Sequence, residues 1–133
     1  MNAAGHYGFD CLIAKRQEGG LIALSTESMT GVLIRGTAYL YLDEGTIITL
    51  IDRKIHDYVD NTATTVYYLT ESEMQTLRSA NINKIRFSLK CGNCTMSSEE
   101  GSFSAINEQP SMDLLGSDAK VDIPALVENL YGE

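Results

Sequence analysis

Cys91 and Cys94 are spaced as C-x-x-C and form the motif of this chain that most resembles a reactive site. Such a pair can supply half of a structural zinc site, which needs four ligands, or the two thiols of a redox enzyme. The other zinc candidates are His6, Cys11 and His56. On a regular strand the side chains of His6 and Cys11 would point to opposite faces, because their separation is odd. We therefore expect no bound metal and no cofactor.

The same cysteine pair follows a predicted strand, whereas a redox C-x-x-C begins a helix whose N-terminus lowers the pKa of the first thiol. We predict that the thiols of Cys91 and Cys94 are dispensable in reducing buffer. In an exported protein the two residues would be expected to form a local disulfide. A metal- or redox-linked protein that uses Cys91 and Cys94 stays one alternative.

His56 and Asp57 are neighbours that could act as a general base and its orienting carboxylate. Adjacent residues of a loop rarely have the required geometry, and neither a serine nor a cysteine is marked as a nucleophile. The other carboxylates could be glycosidase acids or calcium ligands, but their spacing fits solvated turns: Asp10, Asp43, Glu44, Asp52 and Asp60. An enzyme with a site around His56 and these scattered carboxylates is a second alternative. The sequence favours a protein without catalytic activity.

Four tyrosines lie in predicted strands: Tyr39, Tyr41, Tyr67 and Tyr68. Tyrosine buries a large apolar ring while keeping a polar end, and it is therefore enriched at protein interfaces. We take Tyr39, Tyr41 and Tyr68 as candidate interface residues. The competing interpretation is a sheet face covered by the C-terminal helix and by the long segment before that helix.

The composition is that of an ordinary globular protein, with 133 residues, 44% of them hydrophobic and 21% charged. This length fits one domain over residues 1–133. The net charge of −8 argues against nucleic acid and an anionic membrane surface as partners. We see no signal peptide and no apolar run of membrane-spanning length, and the three cysteines are an odd number. We expect a reduced cytoplasmic protein, or an exported one if a leader has been removed.

The elements that would position these residues are clearest from Thr64 to Lys90, where the sequence predicts strand, helix and strand. Thr70 and Glu73 have the spacing of a capping box, so a helix is predicted over about residues 70–80. Its buried face would carry Met74, Leu77 and Ala80, and Asn81 is suited to end it in the left-handed conformation. The next strand would turn one face to the core, formed by Ile85, Phe87 and Leu89.

Alternation also predicts strands at residues 7–15, 21–24 and 32–42, with a turn at 18–20, a loop at 25–30 and a break near Gly36. Asp43, Glu44 and Gly45 supply a hairpin turn, and the returning strand carries apolar residues on both faces. We therefore expect that strand to be central and covered on both sides. Residues 53–61 should be irregular and 91–120 long and loop-rich, and Asp122 should begin a short C-terminal helix.

Two motifs carry a resemblance to a known group of proteins. The first is L-x-E-G-x-x-x-x-L at residues 42–50, and the second begins Y-Y-L-T-x-x-E at residue 67 and ends I-x-x-I-R-F at residue 87. On these residues, roughly 37–90, the chain resembles small uncharacterised bacterial proteins that pair an LxDGxxxxL hairpin with a YxLTxxExxxLxxxxIxxIR strand–helix–strand. Glu44 stands where aspartate is commoner, which the turn should tolerate. The resemblance implies a fold and transfers no catalytic residue.

Together these elements predict an α+β fold with a mainly antiparallel sheet of five to seven strands, one helix near residues 70–80 and a short C-terminal helix. The sequence names no ligand. Its default function is a non-catalytic interaction or structural module that binds an unknown protein partner or a second copy of itself. We lean towards a homodimer through a tyrosine-bearing sheet face or an edge strand, since monomers seldom expose large apolar surfaces.

Overall fold

The computed structural model of the chain describes residues 2–3, 9–27, 31–91, 100–107 and 122–131. The strands are β1 (Asn2–Ala3), β2 (Asp10–Lys15), β3 (Gly20–Glu27), β4 (Val32–Ile34), β5 (Ala38–Leu42), β6 (Ile47–Leu50), β7 (His56–Val59), β8 (Thr62–Leu69), β9 (Ile82–Cys91) and β10 (Gly101–Ile106). The helices are α1 (Glu71–Ser79) and α2 (Ile123–Tyr131). In this described part of the chain, no helix has the length and apolarity needed to cross a membrane.

The strands form a six-stranded sheet and a four-stranded sheet, and their pairings among the described residues are antiparallel. The six-stranded sheet has the order β1–β10–β9–β5–β6, with β4 also paired to β9. The four-stranded sheet has the order β2–β3–β8–β7. The α+β class and the antiparallel pairing are confirmed, whereas the prediction of a single sheet is wrong. Helix α1 connects β8 of one sheet to β9 of the other.

The hydrophobic core lies between the two sheets, because each long strand turns one face inwards. Burial alternates along β8 from Thr62 to Leu69 and along β5 from Ala38 to Leu42. The predicted inward face of β9 is confirmed, and its Phe87 stacks on Phe9 with ring centroids 4.7 Å apart. Since Phe9 precedes β2, this stack packs residues of the two sheets together.

Two hydrogen bonds fasten the sheets where β4 approaches β8. The hydroxyl of Thr65 donates to the carbonyl of Ile34 at 2.6 Å, and the hydroxyl of Tyr67 donates to the carbonyl of Gly36 at 2.9 Å. Burial, with the nearby Asp52 carboxylate, raises the pKa of Tyr67, so this phenol keeps the proton that it donates. Gly36 has a φ of +82°, which breaks the β4–β5 run at the predicted position.

Helix α1 begins as the sequence predicts. The Thr70 hydroxyl accepts a hydrogen bond from the Glu73 amide at 3.1 Å, and the Glu73 carboxylate accepts one from the Thr70 amide at 2.9 Å. Met74 and Leu77 are fully buried. Met74 packs so closely on Gly20, at the start of β3, that a Cβ there would overlap its sulfur. Helix α1 therefore packs against one end of the four-stranded sheet, instead of covering the face of a single sheet.

The two helices are joined by Asn81, which does not adopt the predicted left-handed conformation. Its side-chain Oδ1 accepts hydrogen bonds from the amides of Ile82 at 2.8 Å and of Ile123 at 3.0 Å. Asp122 caps α2 as predicted, because its carboxylate accepts a hydrogen bond from the Ala125 amide at 3.1 Å. Helix α2 then packs against α1 and β2.

Four further predictions need correction. Strand β6 is an edge strand with one exposed face, not a central one. Residues 25–27, predicted as part of a loop, continue β3, and residues 28–30 lie outside the described part. The stretch predicted as irregular contains β7, and the loop-rich segment contains β10, although residues 92–99 and 108–120 lie outside the described part. Residues 25–27 pair with β8, more than thirty positions away, so no local pattern reveals them. Strand β7, in contrast, pairs with β8 across Asp60 and Asn61, whose positive φ values make a tight hairpin turn, and this local signal was missed.

Candidate interaction surfaces

The solvent side of the six-stranded sheet carries two of the three candidate interface tyrosines. Tyr39 and Tyr41 alternate with the buried residues of β5 and are half-buried. The register places Arg86 beside Tyr39, and Lys84 beside Tyr41. Three exposed isoleucines flank them: Ile47, Ile51 and Ile106. We call these seven residues the tyrosine face.

One row of the tyrosine face crosses four strands. Ile106 of β10 pairs with Lys84 of β9, and Lys84 pairs with Tyr41 of β5. Tyr41 in turn pairs with Ile47 of β6. The Lys84 ammonium lies 4.8 Å from the centroid of the Tyr41 ring, which is a cation–π distance. In the described strands, no carboxylate occupies an outward position of this face, so the face is basic although the chain has a net charge of −8.

Strand β6 forms one edge of this sheet, and its sequence, IITL, contains no charged residue. The Leu42 amide donates to the Thr46 carbonyl at 2.9 Å, which fixes the alternation of the β5–β6 ladder. By that alternation, the N–H and C=O groups of Ile47 and Thr49 point away from β5. The side chain of Ile47 is 53% exposed, and that of Ile51, just after the strand, is 64% exposed. Natural edge strands are usually protected from pairing with other chains by charged residues, by proline or by being short. Of these three, β6 has only its short length.

Tyr68, the third candidate, lies on the solvent side of the four-stranded sheet. Its ring is flanked by two guanidinium groups, with Arg16 at 3.9 Å and Arg53 at 5.3 Å from the ring centroid. The candidate tyrosines therefore lie on two different sheets. The two surfaces meet at Ile51 of the tyrosine face, which lines a small pocket with Tyr68 and with Glu73 of α1.

The solvent side of the four-stranded sheet also carries apolar residues, which the sequence reasoning did not single out. Leu12 of β2 pairs with Ala23 of β3, and Ala23 pairs with Val66 of β8. A second row is formed by Ala14, Leu21 and Tyr68. We call these six residues the aliphatic face, of which Leu12 is 63% exposed. The signal was present in β2, because Leu12 and Ala14 alternate with the core residue Ile13.

The C-terminal helix, one of the two segments predicted to cover the tyrosines, packs in a different place. Helix α2 was the candidate lid, but it packs against α1 and β2. Of the apolar residues of α2, Ile123 and Val127 are buried, whereas Leu126 is exposed. The other part of the candidate lid, residues 108–121, lies outside the described residues.

The candidate catalytic residues do not converge. His56 pairs with Thr65 and Asp57 with Thr64, so the two side chains lie on opposite faces of β7. In the ranges that the structure describes, no three His, Cys, Asp or Glu side chains are grouped closely enough to hold a metal ion. Asp57 therefore does not orient His56 as a base, and the described residues around His56 form no metal site. Of the scattered carboxylates, Asp52 lies close enough to interact electrostatically with His56.

Asp52, another of the scattered carboxylates, has a structural role. Its two oxygens accept hydrogen bonds from the amides of Gly36 and Lys54, each at 2.8 Å, and Arg35 lies 3.8 Å away. Partial burial opposes ionisation, but the two amides and the Arg35 guanidinium outweigh it and lower the pKa of Asp52. The carboxylate therefore connects, through hydrogen bonds, the turn after β6 to Gly36 between β4 and β5.

Cys91, at the end of β9, is disulfide-bonded, and Cys11 is free. This corrects the expectation of a fully reduced protein, and a disulfide-bonded Cys91 has no thiolate to offer to zinc. Burial, reinforced by Asp10, raises the pKa of the Cys11 thiol to about 11, so this cysteine is a poor nucleophile and metal ligand. Cys94 and His6 lie outside the described residues.

Comparisons with protein-family models, with curated proteins and with solved structures found no match to this chain. The resemblance to small bacterial proteins therefore stays a prediction.

Proposed function

We propose that the protein is a non-catalytic interaction module that forms a homodimer by pairing β6 with β6 of a second copy. The observation that carries this proposal is the uncharged edge of β6, flanked by two of the most exposed isoleucines, Ile47 and Ile51. An exposed apolar edge is a template for pairing with another strand. The two alternatives are weaker. His56 and Asp57 lie on opposite faces of β7, and the described residues around them hold no metal-binding group. The disulfide-bonded Cys91 offers no thiolate to a metal, and it ends a strand, whereas a redox C-x-x-C begins a helix.

The register of such a dimer follows from the groups that point outwards. An antiparallel pair related by a two-fold axis at Thr49 would join Thr49 to its own copy through two backbone hydrogen bonds. Ile47 of each copy would then lie beside Ile51 of the other, so that all four exposed isoleucines become covered. The edge is self-complementary, which is what a two-fold interface requires.

The test is the solution mass of the purified protein, measured by light scattering over a dilution series that begins at tens of micromolar. We expect a dimer that dissociates on dilution. Thr49→Pro should give a monomer, because proline removes an outward N–H that the β5–β6 ladder does not use. Ile47→Lys should do the same, because it places a charge in the paired edge.

Two matched variants locate the interface. Ile106→Lys alters an exposed isoleucine of the tyrosine face on a different strand, and Leu12→Lys alters the most exposed residue of the aliphatic face. Both should leave the dimer intact. A wild-type protein that is strictly monomeric at tens of micromolar sinks the proposal. Dissociation by Leu12→Lys but not by Ile47→Lys would move the interface to the four-stranded sheet.

A further inference from the structure

We propose that the tyrosine face binds an extended acidic polypeptide that presents carboxylates between aliphatic side chains on one of its faces, that is, at every second residue. This inference rests on the proposed role as an interaction module, but it does not depend on the dimer.

The first observation is that the cations of this face are not neutralised. Within the described residues, the ion pairs join Arg35 to Asp52 and Arg78 to Glu128, and none involves Lys84 or Arg86. Acidic residues outnumber basic ones in this chain by 18 to ten, so the lack of a described carboxylate beside these two cations does not follow from composition. Two cations left side by side on a sheet favour an anionic partner.

The second observation is the shape and composition of the surface. Small molecules bind in concave sites, whereas the tyrosine face is the open side of a sheet and suits an extended chain. Tyrosine and arginine are the residues that contribute most to protein–protein binding, and here Tyr39 pairs directly with Arg86. The polar contacts at the centre are flanked by exposed isoleucines, with Ile106 on one side and Ile47 on the other.

The third observation separates a polypeptide from a nucleic acid. A nucleic acid carries a phosphate charge on every nucleotide, whereas this face offers two cations, Lys84 and Arg86, on a chain whose net charge is −8. A polypeptide can bring as few as two carboxylates and therefore meets less repulsion from the rest of the chain. Its aliphatic side chains would cover Ile106, and also Ile47 where β6 is unpaired, and a phosphate backbone has no counterpart for these contacts.

The test uses a fluorescent synthetic peptide in which every second residue is serine and the positions between them read valine, glutamate, glutamate and valine, so that valines and glutamates share one face of the extended chain. The readout is fluorescence anisotropy on titration with the intact protein. We expect saturable binding that weakens as salt is added. The same peptide with lysine in place of glutamate should not bind, and single-stranded oligothymidylate should bind more weakly than the acidic peptide. Tighter binding of oligothymidylate, equal binding of the lysine peptide, or no binding of the acidic peptide would each overturn the inference.

Variants assign the binding to the face. Replacing both cations, Lys84→Glu with Arg86→Glu, should weaken peptide binding roughly tenfold or more, because attraction becomes repulsion. Arg16→Glu is the matched control, since Arg16 also lies on a tyrosine ring but on the other sheet. If the double variant is destabilised, as its melting temperature would show, Tyr39→Ser provides a neutral substitution that should also weaken binding. Loss of binding in Arg16→Glu, with binding retained in both face variants, contradicts the assignment.

The monomeric variant Thr49→Pro separates this inference from the homodimer. It changes no charged or tyrosine side chain, and it frees Ile47, which the dimer would cover, so it should bind the acidic peptide at least as tightly per chain. If the wild-type protein proves to be monomeric and still binds the peptide, the dimer fails and the tyrosine face stands. If the protein is a dimer and does not bind the peptide, the reverse holds.

Discussion

The solvent sides of the two sheets are produced by the same alternation of residues, yet they present different chemistry. The tyrosine face combines two tyrosines with Lys84 and Arg86, whereas the aliphatic face is built mainly from alanine, leucine and valine. On the aliphatic side the arginines lie at the margin and stack on Tyr68. On the tyrosine side the cations lie in the middle of the sheet.

This difference shows which positions folding dictates. Inward positions of both sheets are mainly apolar, with Thr26 and Thr65 as buried exceptions, because the sheets share one core. Outward positions are free of that requirement, so their composition can follow a partner. Cross-strand pairs such as Tyr41 with Lys84 stabilise the sheet, but the stability of the monomer does not require exposed isoleucines beside them.

The largest expected effect comes from comparing the two sides of a single strand. Leu40→Ala should destabilise the protein by about 2–5 kcal/mol, because Leu40 is fully buried between the sheets. Tyr41→Ala, at the next position but facing solvent, should cost about 1 kcal/mol or less. Chemical denaturation of both variants measures the contrast. Equal losses would mean that the tyrosine face is itself covered in the folded protein.

The next largest expected effect is a loss of stability at helix α1, which connects the two sheets. Thr70→Ala should reduce the free energy of unfolding by about 1 kcal/mol, because it removes the hydroxyl that caps α1. It should not change binding of the acidic peptide, since neither face contains Thr70. Denaturation and anisotropy on the same sample check both statements. A loss of peptide affinity in Thr70→Ala would show that the helix contributes to the site.

The smallest expected effect is a change in the pH dependence of stability, which differs between the carboxylates of Asp52 and Asp57. The pKa of Asp52 is lowered in the folded state, so its stabilising contribution is present above the ordinary aspartate range and is lost as pH falls through the folded-state pKa. Asp52→Asn should therefore be less stable than wild type near neutral pH, and the difference should shrink in acid. Asp57→Asn, on the exposed edge strand β7, is the control. Parallel pH curves for wild type and Asp52→Asn would contradict this account.

Local signals in the sequence predicted local structure well. The capping box of Thr70 and Glu73, the hairpin turn before β6 and the break at Gly36 each depend on residues within a few positions, and each is confirmed. The number of sheets was not predictable in the same way. Strands β8 and β9 flank α1, and nothing within that stretch indicates that they join different sheets.

The candidate site was predictable only in part, for the same reason. Tyr39 and Tyr41 were identified as interface candidates from residue type and alternation, but their neighbours Lys84 and Arg86 come from a strand more than forty positions away. Apolar residues on both sides of β6 were interpreted as a central strand. The same pattern also fits an edge strand whose outward side has no cover within the chain, and only the tertiary structure separates the two cases.

The turn between β2 and β3 has an evolutionary consequence. Gly19 has a φ of +81°, and a Cβ at either Gly19 or Gly20 would overlap Leu69, Met74 or Ala14. No other residue type can occupy these two positions while the chain keeps this turn and this placement of α1. In a divergent homologue, we expect the double glycine about fifty residues before the capping box to be retained where most of the surrounding residues have changed. A search that combines these two marks should recognise distant relatives that overall identity would miss.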